Sequence, residues 1–118
     1  MNKTDKIAVL GHRGLVGSAL LTALLARGHL PVFPHRSGPY SVDLRSPEQV
    51  KWWFSCHQPD YVFLCAARVG GIKANIARPA EFFVDNQLIQ HNVMLNAADY
   101  GCKKLVFLGS SCIYPTNA

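Results

Sequence analysis

The sequence has no apolar run long enough to cross a bilayer, and its opening, Met1 to Lys6, leads into only a short apolar stretch. Neither a signal peptide nor a membrane span is expected. Cys-x-x-Cys pairs are missing. Cys56, Cys65, Cys102 and Cys112 stand singly in apolar or helical surroundings, which fits free thiols in a reducing cytoplasm better than disulfides or zinc, and no metal is expected. Acidic residues are few, 7 against 12 Lys and Arg, yet no polybasic run forms and the net charge of +5 is scattered. That distribution favours anionic small molecules over a nucleic-acid surface, and no nucleic-acid or membrane partner is expected. Internal repeats, low-complexity tracts and linkers are absent as well. With 118 residues the chain is one small domain or a piece of a larger one, and 49% apolar residues supply a core and exclude disorder.

What is present centres on Ile7-Ala8-Val9-Leu10-Gly11-His12-Arg13-Gly14-Leu15-Val16-Gly17. A short apolar run ends in glycines spaced three apart, and a helical pattern follows at once. Gly11 permits a sharp turn at the strand end, Gly14 permits close approach of a pyrophosphate, and Gly17 permits packing of helix on strand. The helix N-terminus then aims free N–H groups at the phosphates. The strand-before, helix-after context favours nucleotide binding over an ordinary βα turn. Arg13 is either a phosphate ligand or a solvated loop arginine. The G-x-x-G-x-x-G spacing resembles the extended, nucleotide-sugar-modifying branch of the short-chain dehydrogenase/reductase superfamily.

Further along, Leu15, Ala19, Leu20, Ala23 and Leu24 recur at helical spacing, with Gly28 as the stop. A second strand around Val32-Phe33 is flanked by Pro31 and Pro34, which predicts an irregular run. In a doubly wound sheet the end of this strand lies beside the adenosine ribose, where a carboxylate selects NAD and an arginine accommodates NADP. The chain has His35 and Arg36 there and no carboxylate. NADP is the favoured cofactor; the alternative is a surface basic pair.

Ser41 to Arg45 reads as a third strand ending in a turn. Asp43 and Leu44 either flank the adenine or Asp43 orders the turn, while Ser46 caps a helix from Pro47 to Cys56 with Val50, Trp53 and Phe54 in the core. Tyr61 to Ala67 is a buried strand without alternation, as in parallel sheets covered on both faces. Its exit, Ala66-Ala67-Arg68-Val69-Gly70-Gly71, is small enough to leave room for a cofactor. A helix from Pro79 to Tyr100 is expected to turn Phe82, Phe83, Ile89, Val93 and Ala97 to the sheet, with Gly101 ending it. Asn86 and Asn92 either bond neighbouring backbone or face water. The last strand, Lys104 to Gly109, runs into Ser110-Ser111-Cys112-Ile113-Tyr114-Pro115. The expected fold is α/β, a Rossmann-type doubly wound and mostly parallel sheet of five strands in order 3-2-1-4-5, incomplete within residues 1–118.

Three blocks narrow the resemblance: Gly11 to Ser18, Ala66 to Asn75, and Leu108 to Pro115. Together they resemble the GDP-L-fucose synthase family, and the likeness runs from Ile7 to Pro115. The resemblance implies an enzyme that epimerises GDP-4-keto-6-deoxy-D-mannose beside its ketone and reduces that ketone with NADPH. It implies a cofactor site of Gly11, His12, Arg13, Gly14, Leu15, Val16 and Gly17 at the pyrophosphate, and of His35 and Arg36 at the 2′-phosphate. Asp43 and Leu44 would lie at the adenine, with Ala66, Ala67, Val69, Leu108, Gly109, Ser110 and Ser111 lining the rest. Ser110 would hydrogen-bond the substrate carbonyl, and Cys112 would act as acid/base in epimerisation. Read without the family, a Ser-Ser pair satisfies turn backbone and a lone Cys is a small core residue.

The family's Tyr-x-x-x-Lys pair, catalytic histidine and GDP-sugar region would follow Pro115. The expectation is therefore an N-terminal cofactor portion, inactive alone, of a cytoplasmic homodimer acting on a GDP-sugar. The alternatives are another nucleotide-sugar epimerase or dehydratase of the same branch, and a non-catalytic dinucleotide-binding module.

Overall fold

The computed structural model describes residues 4–11, 15–35, 38–39, 41–65 and 79–107. Three parallel strands, β1 (Ile7–Leu10), β2 (Tyr61–Leu64) and β3 (Lys104–Phe107), lie side by side in that order. Their register is level: Ile7, Tyr61 and Lys104 start together, and Leu10, Leu64 and Phe107 end together.

Both faces of the sheet are covered, which is why these runs lack alternation. On one face Ala8, Leu10, Val62 and Leu64 pack with Val50, Trp53 and Phe54 and with Ile89, Val93 and Ala97. On the other, Ile7 and Val9 pack with Leu24, with Leu20, Tyr61 and Phe63 at the margin. Full burial of each such side chain contributes about 1.5–3 kcal/mol.

The helices supply these partners. The first, α1 (Leu15–Ala26), ends before Gly28, which sits at φ 85° as a left-handed stop. Next, α2 (Pro47–His57) begins at Ser46, whose Oγ accepts from the Gln49 N–H at 3.3 Å, with Pro47 in the first turn. It ends at Gln58, in the left-handed region at φ 43°, whose N–H bonds to the Phe54 carbonyl. The long α3 (Pro79–Asp99) stops before Gly101 at φ 74°.

The sheet corrects two expectations. Among the described residues there are three strands where five were expected, because the second and third runs are reduced to single parallel bridges, Ala8 with Val32 and His35 with Ser41. Pro31 and Pro34 flank Val32 and have no N–H to extend a ladder. Val32 still exchanges hydrogen bonds with β1 at 2.8 and 2.9 Å, and the Val42 N–H reaches the His35 carbonyl at 2.7 Å. The order 3-2-1-4-5 thus survives as a pairing order.

The second correction is Phe83, which is 54% exposed rather than turned to the sheet. The buried stripe of α3 runs through Asp85, Asn86, Ile89, Asn92, Val93, Asn96 and Ala97, and residue 83 falls about a third of a turn off it. The Phe82 side chain lies outside the described part. Among the described residues no helix is long and apolar enough to cross a membrane.

Candidate functional site

Because the three strands end level, their exits form one edge. Gly11 follows β1 directly and Cys65 follows β2, and the Cys65 N–H extends the ladder by donating to the Leu10 carbonyl at 2.8 Å. In open parallel sheets this carboxyl edge is where ligands bind. The opposite edge is closed by Asp60. Its carboxylate accepts from the Lys6 N–H at 2.9 Å, and its carbonyl accepts from the Lys103 N–H at 2.7 Å.

Gly11 has φ 96°, a conformation that L side chains rarely adopt, so the turn out of β1 requires glycine here. Leu15 opens α1, Val16 is exposed in its first turn, and Gly17 is buried. No acidic residue stands in that first turn, which leaves the positive end of the helix dipole without a competing carboxylate.

The register carries the edge across to the adenosine side. Ala8 is bridged to Val32, whose run continues in the same direction to His35, and His35 is bridged in turn to Ser41. The His35 ring is exposed and meets Phe33 edge-on at 5.9 Å. Beyond Ser41 comes the Asp43-Leu44 turn. Asp43 accepts from the Arg45 N–H at 2.9 Å and from its guanidinium at 3.0 Å through both carboxylate oxygens. The Arg45 hydrogen bond holds the Asp43 carboxyl below the usual carboxylate range, against partial desolvation.

Gly11, Val16, Gly17, His35, Asp43 and Leu44 are thus on the described carboxyl side, with the backbone of Leu15. The remaining candidates, His12, Arg13, Gly14, Arg36, Ala66, Ala67, Val69, Leu108, Gly109, Ser110, Ser111 and Cys112, lie outside the described residues. In the chain they follow immediately or closely on Gly11, His35, Cys65 and Phe107, the last described residues of each run.

Contacts to the Asp43-Leu44 turn are what the sequence alone does not reveal. Asn92, buried on α3, donates to the Leu44 carbonyl at 3.0 Å, so it bonds backbone rather than facing water, and that backbone is distant in sequence. Asp85, two helical turns earlier, lies within 3.5 Å of the Arg45 guanidinium. The Asp43 N–H donates to Gln49 Oε1 at 2.7 Å. The one available signal was the seven-residue interval between Asp85 and Asn92, which places two polar residues on one helix face.

Among the described cysteines Cys56, Cys65 and Cys102 are free. Burial pushes the Cys65 and Cys102 thiols up, away from the thiolate form that a reactive cysteine needs. No group of three or more His, Cys, Asp or Glu that could hold a metal occurs among the described residues. One Tyr-x-x-x-Lys spacing does occur there, Tyr100 and Lys104. The pair straddles the Gly101 turn at the amino end of β3, the edge opposite the site, and is not on one helix.

Comparison with known proteins agrees with this geometry. The profile of the NAD dependent epimerase/dehydratase family matches residues 7–118. The chain is 48% identical over 119 residues to GDP-L-fucose synthase 1 of Arabidopsis thaliana, covering 99% of this chain and 36% of that protein. Among solved structures it resembles MlghC, a GDP-mannoheptose C4 reductase from Campylobacter jejuni with NADP bound, at a TM-score of 0.87 and 39% identity, covering all of this chain and 37% of that one. It also resembles a GDP-L-fucose synthetase from Naegleria fowleri bound to NADP, at a TM-score of 0.75 and 30% identity, over 98% of this chain and 34% of that one. The chain therefore spans about a third of the length of these relatives.

Proposed function

Because the chain belongs to the NAD dependent epimerase/dehydratase family, we propose that residues 1–118 form the N-terminal, NADP-binding portion of an enzyme that converts GDP-4-keto-6-deoxy-D-mannose to GDP-L-fucose. The observation that carries the cofactor half is Gly11 at φ 96°, where the first strand leaves the level carboxyl edge of a parallel sheet. A Cβ there would be strained, and its absence suits the tight turn that opens a pyrophosphate-binding loop. The substrate half rests on the Arabidopsis relative, whose likeness extends over nearly the whole chain.

Gly11 to Gly17 hold the pyrophosphate, with Arg13 adding a charge-assisted contact. His35 and Arg36 meet the 2′-phosphate. Asp43 and Leu44 lie along the adenine, and Ala66, Ala67, Val69 and Leu108 to Ser111 line the path to the nicotinamide. When bound, the cofactor supplies hydride to the sugar ketone. Ser110 orients the ketone oxygen by donating to it, and Cys112 is one acid/base group at the carbons beside the ketone, inversion requiring a second proton partner on the opposite face. The enzyme acts in the cytoplasm as a homodimer on a GDP-sugar.

A second reading, a C4 reductase of a different GDP-sugar, is favoured by the higher TM-score to the C. jejuni reductase. One experiment separates them. The protein, expressed with the remainder of its reading frame, is given GDP-4-keto-6-deoxy-D-mannose and NADPH in deuterated water. The first reading expects GDP-L-fucose carrying solvent deuterium beside the former ketone, and a Cys112→Ser variant that loses this exchange while still binding NADPH. Reduction without exchange in the unaltered protein favours the second. No oxidation of NADPH with any keto sugar would leave the dinucleotide-binding module.

A further inference from the structure

We propose that Arg45 is a positioning residue for the adenosine end of the cofactor, acting by locking the Asp43-Leu44 turn onto α3 through Asp85. This rests on the reading above that the adenine lies along that turn.

All three guanidinium nitrogens of Arg45 are directed at carboxylates. Nε and Nη2 reach the two oxygens of Asp43 at 3.0 Å each, and Nη1 lies 3.5 Å from Asp85 Oδ2. Arg45 and Asp43 are both nearly half exposed, and such a pair alone adds little to stability. Asp85 differs. Its side chain is only 11% exposed and belongs to the inward stripe of α3. The arginine therefore connects a surface turn to a buried anchor.

Two further contacts close the frame. Asn92 grips the Leu44 carbonyl from α3, and Gln49 takes the Asp43 N–H from α2. The backbone and carboxylate of the turn are thus held by groups from two helices of this chain. A ligand laid against such a turn does not have to order it, and that saving appears as affinity.

The same geometry assigns specificity. With its nitrogens committed to Asp43 and Asp85, Arg45 does not serve the 2′-phosphate, a role left to His35 and Arg36. Loss of the lock should therefore weaken NADPH and NADH alike, which no phosphate ligand would do.

The test uses the full-length protein and four probes: NADPH, NADH, 2′,5′-ADP, which carries only the adenosine end, and reduced nicotinamide mononucleotide, which carries only the other. Arg45→Met should weaken NADPH, NADH and 2′,5′-ADP by a common factor of about three to ten, with the mononucleotide unchanged. Asp85→Asn, which cuts the tether but leaves the Asp43 pair, should lose part of the same affinity. Arg45→Lys, with charge but no fork, should not restore it. Should Arg45→Met fail to fold, Arg45→Lys and Asp85→Asn decide alone. A loss confined to NADPH and 2′,5′-ADP would make Arg45 a phosphate ligand and overturn the proposal. An equal loss for the mononucleotide would show general damage and overturn it, as would no change in any variant. If the unaltered protein binds none of the dinucleotides, the cofactor reading itself fails, an outcome distinct from normal binding by both protein and variants.

Discussion

A residue other than glycine at position 11 would have to sit at φ 96°, where its Cβ meets the following carbonyl. The left-handed region costs an L-residue about 1–2 kcal/mol. Gly11→Ala should lower the urea midpoint by the equivalent of about 1–2 kcal/mol. If the glycine turn holds the pyrophosphate as proposed, the substitution should also reduce NADPH affinity by more than that strain alone explains. Full NADPH affinity in a destabilised Gly11→Ala protein would show that the turn is structural only.

His57 makes a different case at the same scale. It closes α2 with its ring 4.5 Å from that of Trp53. Burial, and then the charge of Lys6, push its pKa below the ordinary value. The folded state therefore binds fewer protons here than the unfolded chain, whose histidine titrates near about 6.5. The contribution is present above that pH and is lost as pH falls towards the lowered folded value. The unaltered protein should lose more stability between pH 7.5 and 5.5 than His57→Gln does, by urea unfolding at the two values. Parallel losses would place the acid sensitivity elsewhere.

At the scale of elements, the caps carry the clearest test. Ser46 satisfies one of the free N–H groups at the start of α2, and Asp43 accepts no bond from that helix in its place. Ser46→Ala should cost about 0.5–2 kcal/mol. Since α2 starts two residues after Arg45, fraying should also raise hydrogen exchange in residues 43–50. A loss of stability without local exchange would mean that the cap does not order the turn.

Elements also show what was legible in the sequence. The glycine at the end of β1, the Ser46-Pro47 start, the Gly28 and Gly101 stops and the continuous apolar strands could be read because each depends on neighbours within a few residues. The order of the sheet followed from parallel connection rules. The run around Val32 shrank to a bridge because Pro31 and Pro34 withhold donors, which the sequence signalled without giving the extent. Phe83 misled because its apolar character outweighed its phase, while the inward stripe of α3 is built partly from Asp85, Asn86, Asn92 and Asn96. The partners of the Arg45 turn were not legible. Asp85 and Asn92 lie forty or more residues from the groups they meet, and polar pairs across that distance leave little local pattern.

At the scale of the whole molecule, residues 1–118 are needed, on the proposed reading, for cofactor binding, and the chemistry needs more than that. The three strands end level, and on the same reading cofactor binding is a matter of that edge. Reducing a ketone needs more, since a proton must reach the oxygen as hydride reaches carbon. Among the described residues the one tyrosine with lysine at the required interval is Tyr100 with Lys104, placed at the amino end of β3 and away from the edge. Its phenol packs against the hydrophobic core rather than a ligand. A chain of residues 1–118 alone, mixed with NADPH and GDP-4-keto-6-deoxy-D-mannose, should therefore oxidise no more NADPH than a blank. It should stay inactive even at cofactor concentrations that saturate the longer protein, because the missing step is proton delivery and not affinity. Turnover above the blank would mean that a proton donor within these residues serves the ketone, and Ser110→Ala and Cys112→Ser in the same short chain would then identify it.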